Sequence, residues 1–205
     1  MIEDIYIPHS YSRRIESRSQ IHYLLGYLIR LYNYTRFGIR RWIFRLRGGK
    51  IGANSLIPLK LALRANNNIV IGNNVSINSN IIDVRRGLVI EDNVVINRDV
   101  EIIRLSHDYN SPEFALKEYP PLVIESYSWL ATGCKILPSC SLIAEGTVVG
   151  AYSVLPYSTE PMGVYSGFPA KKINERHEVW KDLVVVGMNG GDWQFYRRVQ
   201  LKRNK

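Results

Sequence analysis

The chain has little cysteine, little histidine and no long apolar run. Only Cys134 and Cys140 occur in 205 residues, and their spacing is not of the CxxC type that marks zinc or redox sites. Both read as reduced, structural residues. The most apolar early stretch, residues 21–29, is interrupted by His22 and ends at Arg30, well short of the roughly 20 residues needed to cross a bilayer. The opening residues are polar and charged and lack the short apolar core of a secretion signal, so a cytoplasmic protein is expected. What is abundant is positive charge, with 27 Lys and Arg against 18 Asp and Glu, a net charge of +9 and a pI near 9.6. Such an excess points to an anionic partner: a phosphorylated cofactor or substrate, an acidic membrane surface or a nucleic acid. The apolar and charged fractions, 46% and 22%, are those of an ordinary globular chain, here one principal domain with appendages.

A six-residue repeat decides the fold. Ile124, Leu130, Ile136, Leu142, Val148 and Val154 fall on every sixth position. An earlier run has Ile71 and Ile77 in step and resumes one residue late at Ile90, Ile96 and Ile102, a slip that fits a bulge at Arg85, Arg86 and Gly87. A helix would need i, i+3, i+4, i+7 and an ordinary strand strict alternation, so neither produces this period. Hexads belong to a parallel β-helix, in which a short strand buries its apolar residue only when neighbouring coils stack on it. Three hexads make one triangular coil, so residues about 18 apart should stack at about 4.8 Å, Ile124 under Leu142, Leu130 under Val148 and Ile136 under Val154. Cys134 and Cys140, one hexad apart, then lie on successive faces and form no disulfide. Gly72, Asn73, Asn74, Asp92, Asn93, Gly133, Gly146 and Gly150 suit the tight corners.

Three segments fall outside the repeat. Residues 1–48 form an N-terminal segment whose part from about 17 to 46 reads as one or two helices, with Leu24, Leu28 and Leu31 as an apolar stripe and arginines too numerous to bury. It fits either a cap on the open end of the solenoid or an interfacial helix on anionic lipid, and nucleic acid is not expected because no recognition motif accompanies the charge. Residues 104–121 are an extruded loop, rich in proline and polar residues, and loops on rigid scaffolds commonly carry function. Residues 174–205 are a charged, aromatic tail expected to fold back on a face or on a neighbouring subunit, which leaves 49–173 as the β-helix domain.

Three motifs in this order resemble those of the hexapeptide-repeat acetyltransferase superfamily, closest to the colanic-acid-type polysaccharide O-acetyltransferases and the maltose and galactoside acetyltransferases. They are Ser106-His107-Asp108-Tyr109 at the mouth of the loop, Trp129-Leu130-Ala131-Thr132-Gly133 leading to Ile136-Leu137-Pro138, and Gly167-Phe168-Pro169-Ala170-Lys171-Lys172-Ile173. The match covers roughly residues 50–175. Glu125, Ala131, Ser139 and Ala144 stand where the family usually has glycine, and Phe168 where it has Asn, which leaves every candidate catalytic group in place but alters corner geometry.

The resemblance implies a left-handed β-helix, acetyl-CoA as co-substrate, a saccharide acceptor and a homotrimer. Transfer of an acetyl group to a hydroxyl needs a base that takes the acceptor proton and returns one to the departing thiolate, and an imidazole with a pKa near 6.5 suits both steps. His107, the only histidine near the repeats, is the expected base, its tautomer held by Asp108 or by a nearby backbone carbonyl. By resemblance Trp129, Ala131, Thr132, Gly150, Ala151, Pro169, Lys171 and Lys172 face the coenzyme, with the Ala131–Thr132 corner as oxyanion donor. Trp129 equally suits a packed prism edge, and the two lysines equally suit a solvated tail. Asn78 and Asn80 are placed on the acceptor side, although Asn78 also fits an ordinary turn. A γ-type carbonic anhydrase would need three converging histidines, and His9, His22 and His177 all lie outside the repeats, so no metal site is expected. N-acetylation of an amino sugar and a non-catalytic scaffold remain as alternatives.

Overall fold

In a computed structural model, described for residues 13, 15–179, 193 and 196, the chain is a left-handed parallel β-helix with one long helix across its N-terminal end. The opening residues and most of the tail lie outside the described residues, and with them His9. Three flat sheets form a prism. Sheet A stacks Lys50–Ile51, Ile69–Ile71, Leu88–Ile90, Leu122–Ile124 and Leu142–Ile143. Sheet B stacks Ser76–Ile77, Val95–Ile96, Trp129–Leu130 and Val148–Val149, then ends in the antiparallel hairpin Gly163–Gly167 and Ala170–Glu175. Sheet C stacks Ile81–Ile82, Glu101–Ile102, Lys135–Ile136 and Val154–Leu155.

Each rung sends at least one side chain inward, and the three-residue strands of sheet A send two, with Ile69, Leu88 and Leu122 also buried. Ile51, Ile71, Ile90, Ile124 and Ile143 form the column under sheet A, Ile77, Ile96, Leu130, Val149 and Tyr165 that under sheet B, and Ile82, Ile102, Ile136 and Leu155 that under sheet C. A fully buried side chain of this size contributes about 1.5–3 kcal/mol, so the columns supply the main drive for folding.

The stacking departs from the plain hexad. Ile124 pairs with Ile143, Leu130 with Val149 and Ile136 with Leu155, nineteen residues apart, while Leu142, Val148 and Val154 are half-buried on the outside. The extra residue sits in the corner from sheet C to sheet A, around Pro138 to Ser141 here and at Asp83 to Gly87 two coils earlier, where the sequence places its slip. The other corners keep the six-residue step, except that the B-to-C corner at Asn78 to Asn80 is one residue short. Asn54, Asn74, Asn93, Tyr127 and Gly146 turn from sheet A to sheet B, and Asp99, Gly133 and Tyr152 from B to C, all with positive φ. At Gly133 (φ 71°) a Cβ would come within 2.5 Å of the Tyr152 ring, which explains the glycine. Cys134 and Cys140 are buried free thiols, and loss of hydration pushes them up to about 12 and about 11.

Helix α1, Gln20–Leu46, starts at Ser19, whose hydroxyl accepts the His22 N–H. It caps the prism in the opposite orientation to the one its leucines suggest. Its buried residues are Tyr23, Gly26 and Phe44, with Phe44 packed in the solenoid core, whereas Leu24, Leu28 and Leu31 are exposed. Arginines do the capping instead. Arg40, Arg41 and Arg45 donate to the carbonyls of Ile57 (3.0 Å), Ser55 (3.2 Å) and Ile51 (2.7 Å), which the open end of the solenoid leaves without a rung beneath. Burial, and then the neighbouring guanidiniums, lower the pKa of Arg40 and Arg41. A short helix α2, Leu59–Arg64, replaces the first sheet C strand and packs on α1. From the tail, Tyr196 stacks on Tyr23 and Trp193 lies against Tyr27.

Candidate active site

The extruded loop leaves the prism at the corner from sheet C to sheet A and returns as a small hairpin. Lys117 N–H donates to the Ser106 carbonyl and Asp108 N–H to the Ala115 carbonyl, both at 2.9 Å, and His107 bridges Leu116. His107 is exposed, and its Nδ1 lies 2.5 Å from the Phe114 carbonyl oxygen. A carbonyl can only accept, so Nδ1 carries the proton and Nε2 keeps a free lone pair. Asp108 does not hold the ring. Its Oδ1 accepts the Asn110 N–H at 3.0 Å and secures the turn.

Arg104, which sequence reasoning treated only as the start of the loop, anchors it. It is fully buried, donates from Nη1 to the carbonyls of Cys140 (3.2 Å) and Pro138 (3.4 Å), and from Nη2 to the Pro120 carbonyl. One guanidinium thus ties both stems of the loop to the next coil. Its Nε has no partner, and burial lowers its pKa. An arginine beside a polar loop normally reads as solvated, so the only sequence hint is its place two residues after the inward Ile102. Beneath it, burial raises the pKa of Asp83, but hydrogen bonds from Arg85 and the Arg104 backbone outweigh this and hold the carboxyl below its ordinary value.

The other candidates gather along the B-to-C edge. Asn78 and Asn80 are exposed there; one coil on come Asn97, Arg98 and Asp99, then Ala131 and Thr132, then Gly150 and Ala151, and finally the hairpin tip Gly167 to Pro169. Ala131 N–H is committed to the Val149 carbonyl at 2.9 Å, so it is not an oxyanion donor. Among the described residues Thr132 and Ala151 N–H groups make no hydrogen bond, and they recur one coil apart on this edge. Trp129 projects outward from sheet B, 45% exposed, and Pro169 and Lys171 are exposed near the same end. Lys172 is held by Glu160 (2.7 Å) and Glu175 (3.4 Å). Arg98, exposed on the edge, is a cation that the motif comparison missed.

His107 and this edge therefore sit at opposite ends of the sheet C strands within one chain. Among the described residues no group of His, Cys, Asp and Glu is placed to hold a metal ion, and His22 is engaged with Ser19 at 2.7 Å.

Comparison with known proteins agrees with the β-helix fold. No family model matches the chain. The chain is 31% identical over 140 residues, 68% of its length and 76% of the relative's, to WcaF of Escherichia coli K12, assigned as a colanic acid biosynthesis acetyltransferase; the Shigella flexneri protein matches equally. Among solved structures, a hexapeptide-repeat-containing acetyltransferase of Vibrio cholerae O1 biovar eltor, in complex with acetyl coenzyme A, superposes with a TM-score of 0.57 at 22% identity, over 73% of this chain and 84% of that one. A single-residue variant of AntD, a Bacillus cereus N-acyltransferase in complex with dTDP and coenzyme A, gives a TM-score of 0.51 at 22% identity, over 65% and 87%. The chain belongs to the hexapeptide-repeat acetyltransferase superfamily and is an acyltransferase.

Proposed function

We propose that the chain is an acetyl-CoA-dependent O-acetyltransferase of a sugar hydroxyl in surface-polysaccharide assembly, with His107 as general base. The observation that carries this reading is the His107 tautomer, since the Phe114 carbonyl fixes the proton on Nδ1 and leaves Nε2 to take a hydroxyl proton. Likeness to WcaF supports a saccharide acceptor. The B-to-C edge fits the coenzyme. Thr132 and Ala151 offer uncommitted N–H groups, Trp129 an outward aromatic wall, and Lys171 and Arg98 exposed cations for phosphates. Asn78 and Asn80 extend the same edge toward the acceptor.

The coenzyme supplies an acetyl thioester. His107 Nε2 removes the acceptor proton as its oxygen attacks, the Thr132 N–H stabilises the charge that builds on the carbonyl oxygen, worth roughly 3–4 kcal/mol for one good donor, and the imidazolium then protonates the leaving thiolate. Because His107 and the coenzyme edge lie at opposite ends of sheet C, the site is completed by a neighbouring copy. A cyclic homotrimer supplies this, and outward Val70, Val89, Val123 and Leu142 on sheet A offer an apolar face to bury.

Labelled acetyl-CoA with a panel of sugars, amino sugars and glycolipids tests the reaction, and product on amino groups alone would replace O-transfer by N-transfer. Subunit mixing tests the shared site. His107→Ala and Ala151→Trp should each be inactive, and equal parts refolded together should regain about one quarter of wild-type activity, the share of interfaces with both edges intact. No recovery in mixed trimers, or a monomer mass by light scattering, contradicts the shared site.

A further inference from the structure

We infer that the N-terminal end of the molecule is a docking surface for an anionic lipid bilayer, with the outer face of α1 lying in the interface plane. The proposal does not depend on the acetyl-transfer reading. The first observation is the face itself. Ile21, Leu24, Leu28, Ile39, Trp42 and Leu46 are between 50% and 72% exposed. At 100° per residue they fall within an arc of about 60°, along a helix about 40 Å long. The opposite side holds the buried Tyr23, Gly26 and Phe44 and turns toward the prism and the tail residues. Leu59 and Leu63 of α2, packed beside α1, are also exposed.

The second observation is where the charge sits. From residue 17 to residue 82 there is no Asp or Glu, and there are ten Lys and Arg; the rest of the chain carries seventeen Lys and Arg against eighteen Asp and Glu. The whole positive excess therefore belongs to α1, α2 and the first coils, at one end of the solenoid. Three of the ten, Arg40, Arg41 and Arg45, hydrogen-bond the carbonyls of that end, but Arg47, Lys50, Lys60 and Arg64 are exposed.

A long apolar stripe with an aromatic residue, bordered by cations and without any acid, matches what an acidic bilayer surface offers: acyl chains to bury the stripe and headgroups to pair the cations. A second copy fits less well, because face-to-face contact would press together two helical faces that carry cations and no Asp or Glu. A nucleic acid would pair the cations but leave the leucines and isoleucines unburied. No helix among the described residues is long and apolar enough to cross the membrane, so the contact is peripheral.

The full-length protein should sediment with vesicles of phosphatidylcholine containing about one-third phosphatidylglycerol, and the bound fraction should fall at least about tenfold as salt rises from about 0.05 M to about 0.5 M. Leu28→Glu, on the exposed face, should weaken vesicle binding by about tenfold to a hundredfold with the circular dichroism spectrum and oligomeric mass unchanged. Trp42→Ala should act in the same direction. Absence of binding to anionic vesicles overturns the inference, as does equal binding to pure phosphatidylcholine. A fall in oligomeric mass on Leu28→Glu would assign the face to a second copy, and Leu28→Glu vesicle binding equal to wild type, with displacement by duplex DNA, would assign the charge to nucleic acid; either result also overturns it.

Discussion

Replacing Arg104 should loosen the extruded loop and destabilise the fold together. The side chain is fully buried and donates to three carbonyls, of Pro120, Cys140 and Pro138, the last at 3.4 Å and the weakest. Arg104→Ala leaves at least two of these oxygens buried without a donor, at about 1–3 kcal/mol each, and opens a cavity the size of a guanidinium. Relief from burying an unbalanced cation offsets part of this, so a net loss of about 3–5 kcal/mol is expected. Arg104→Lys should fall between, because one ammonium cannot span the Pro120 carbonyl of the returning stem and the carbonyls of the next coil. Urea denaturation at a fixed protomer concentration measures the loss, since unfolding of an oligomer depends on concentration. As His107 hangs three residues beyond Arg104, kcat should fall in step with loop order while acetyl-CoA binding on the distant edge holds. An unfolding midpoint for Arg104→Ala within the error of wild type would refute the anchoring role.

Cys134 and Cys140 should resist thiol reagents at pH 8 in the native protein and react fully once unfolded, because burial raises both pKa values, to about 12 and about 11. With the folded values above the free-thiol value near 9, the folded state holds more protons than the unfolded one between about 9 and 11–12. Stability is thus complete below about pH 9 and declines as pH rises through that window, which thermal melts at stepped pH would register. Rapid native labelling of either cysteine at pH 8 would contradict the interior placement.

The prism was legible in the sequence because a six-residue period has no other simple source. Its exact stacking was not, since Leu142–Ile143, Val148–Val149 and Val154–Leu155 are paired apolar residues, and a hexad drawn through either member looks equally good. Only the backbone decides that the corner at Pro138 to Ser141 takes an extra residue and turns the second member inward. The buried face of α1 was not legible for a related reason. Leucine spacing normally marks the buried stripe, but the open end of a β-helix presents carbonyls, and arginines satisfy those better than leucines do. His107 and the corner residues were found by motif, whereas their separation along sheet C follows only from strand order. Arg104 was invisible, since a buried guanidinium has the same letter as a solvated one.

The most direct test of the account is His107→Ala, assayed for transfer and for acetyl-CoA binding on one preparation. Turnover should drop by roughly 10²- to 10⁴-fold, the usual share of a positioned acid or base, while coenzyme affinity and oligomeric mass stay at the wild-type values. Near-normal turnover from a folded, acetyl-CoA-binding His107→Ala protein would contradict His107 as the base and with it the proposed mechanism.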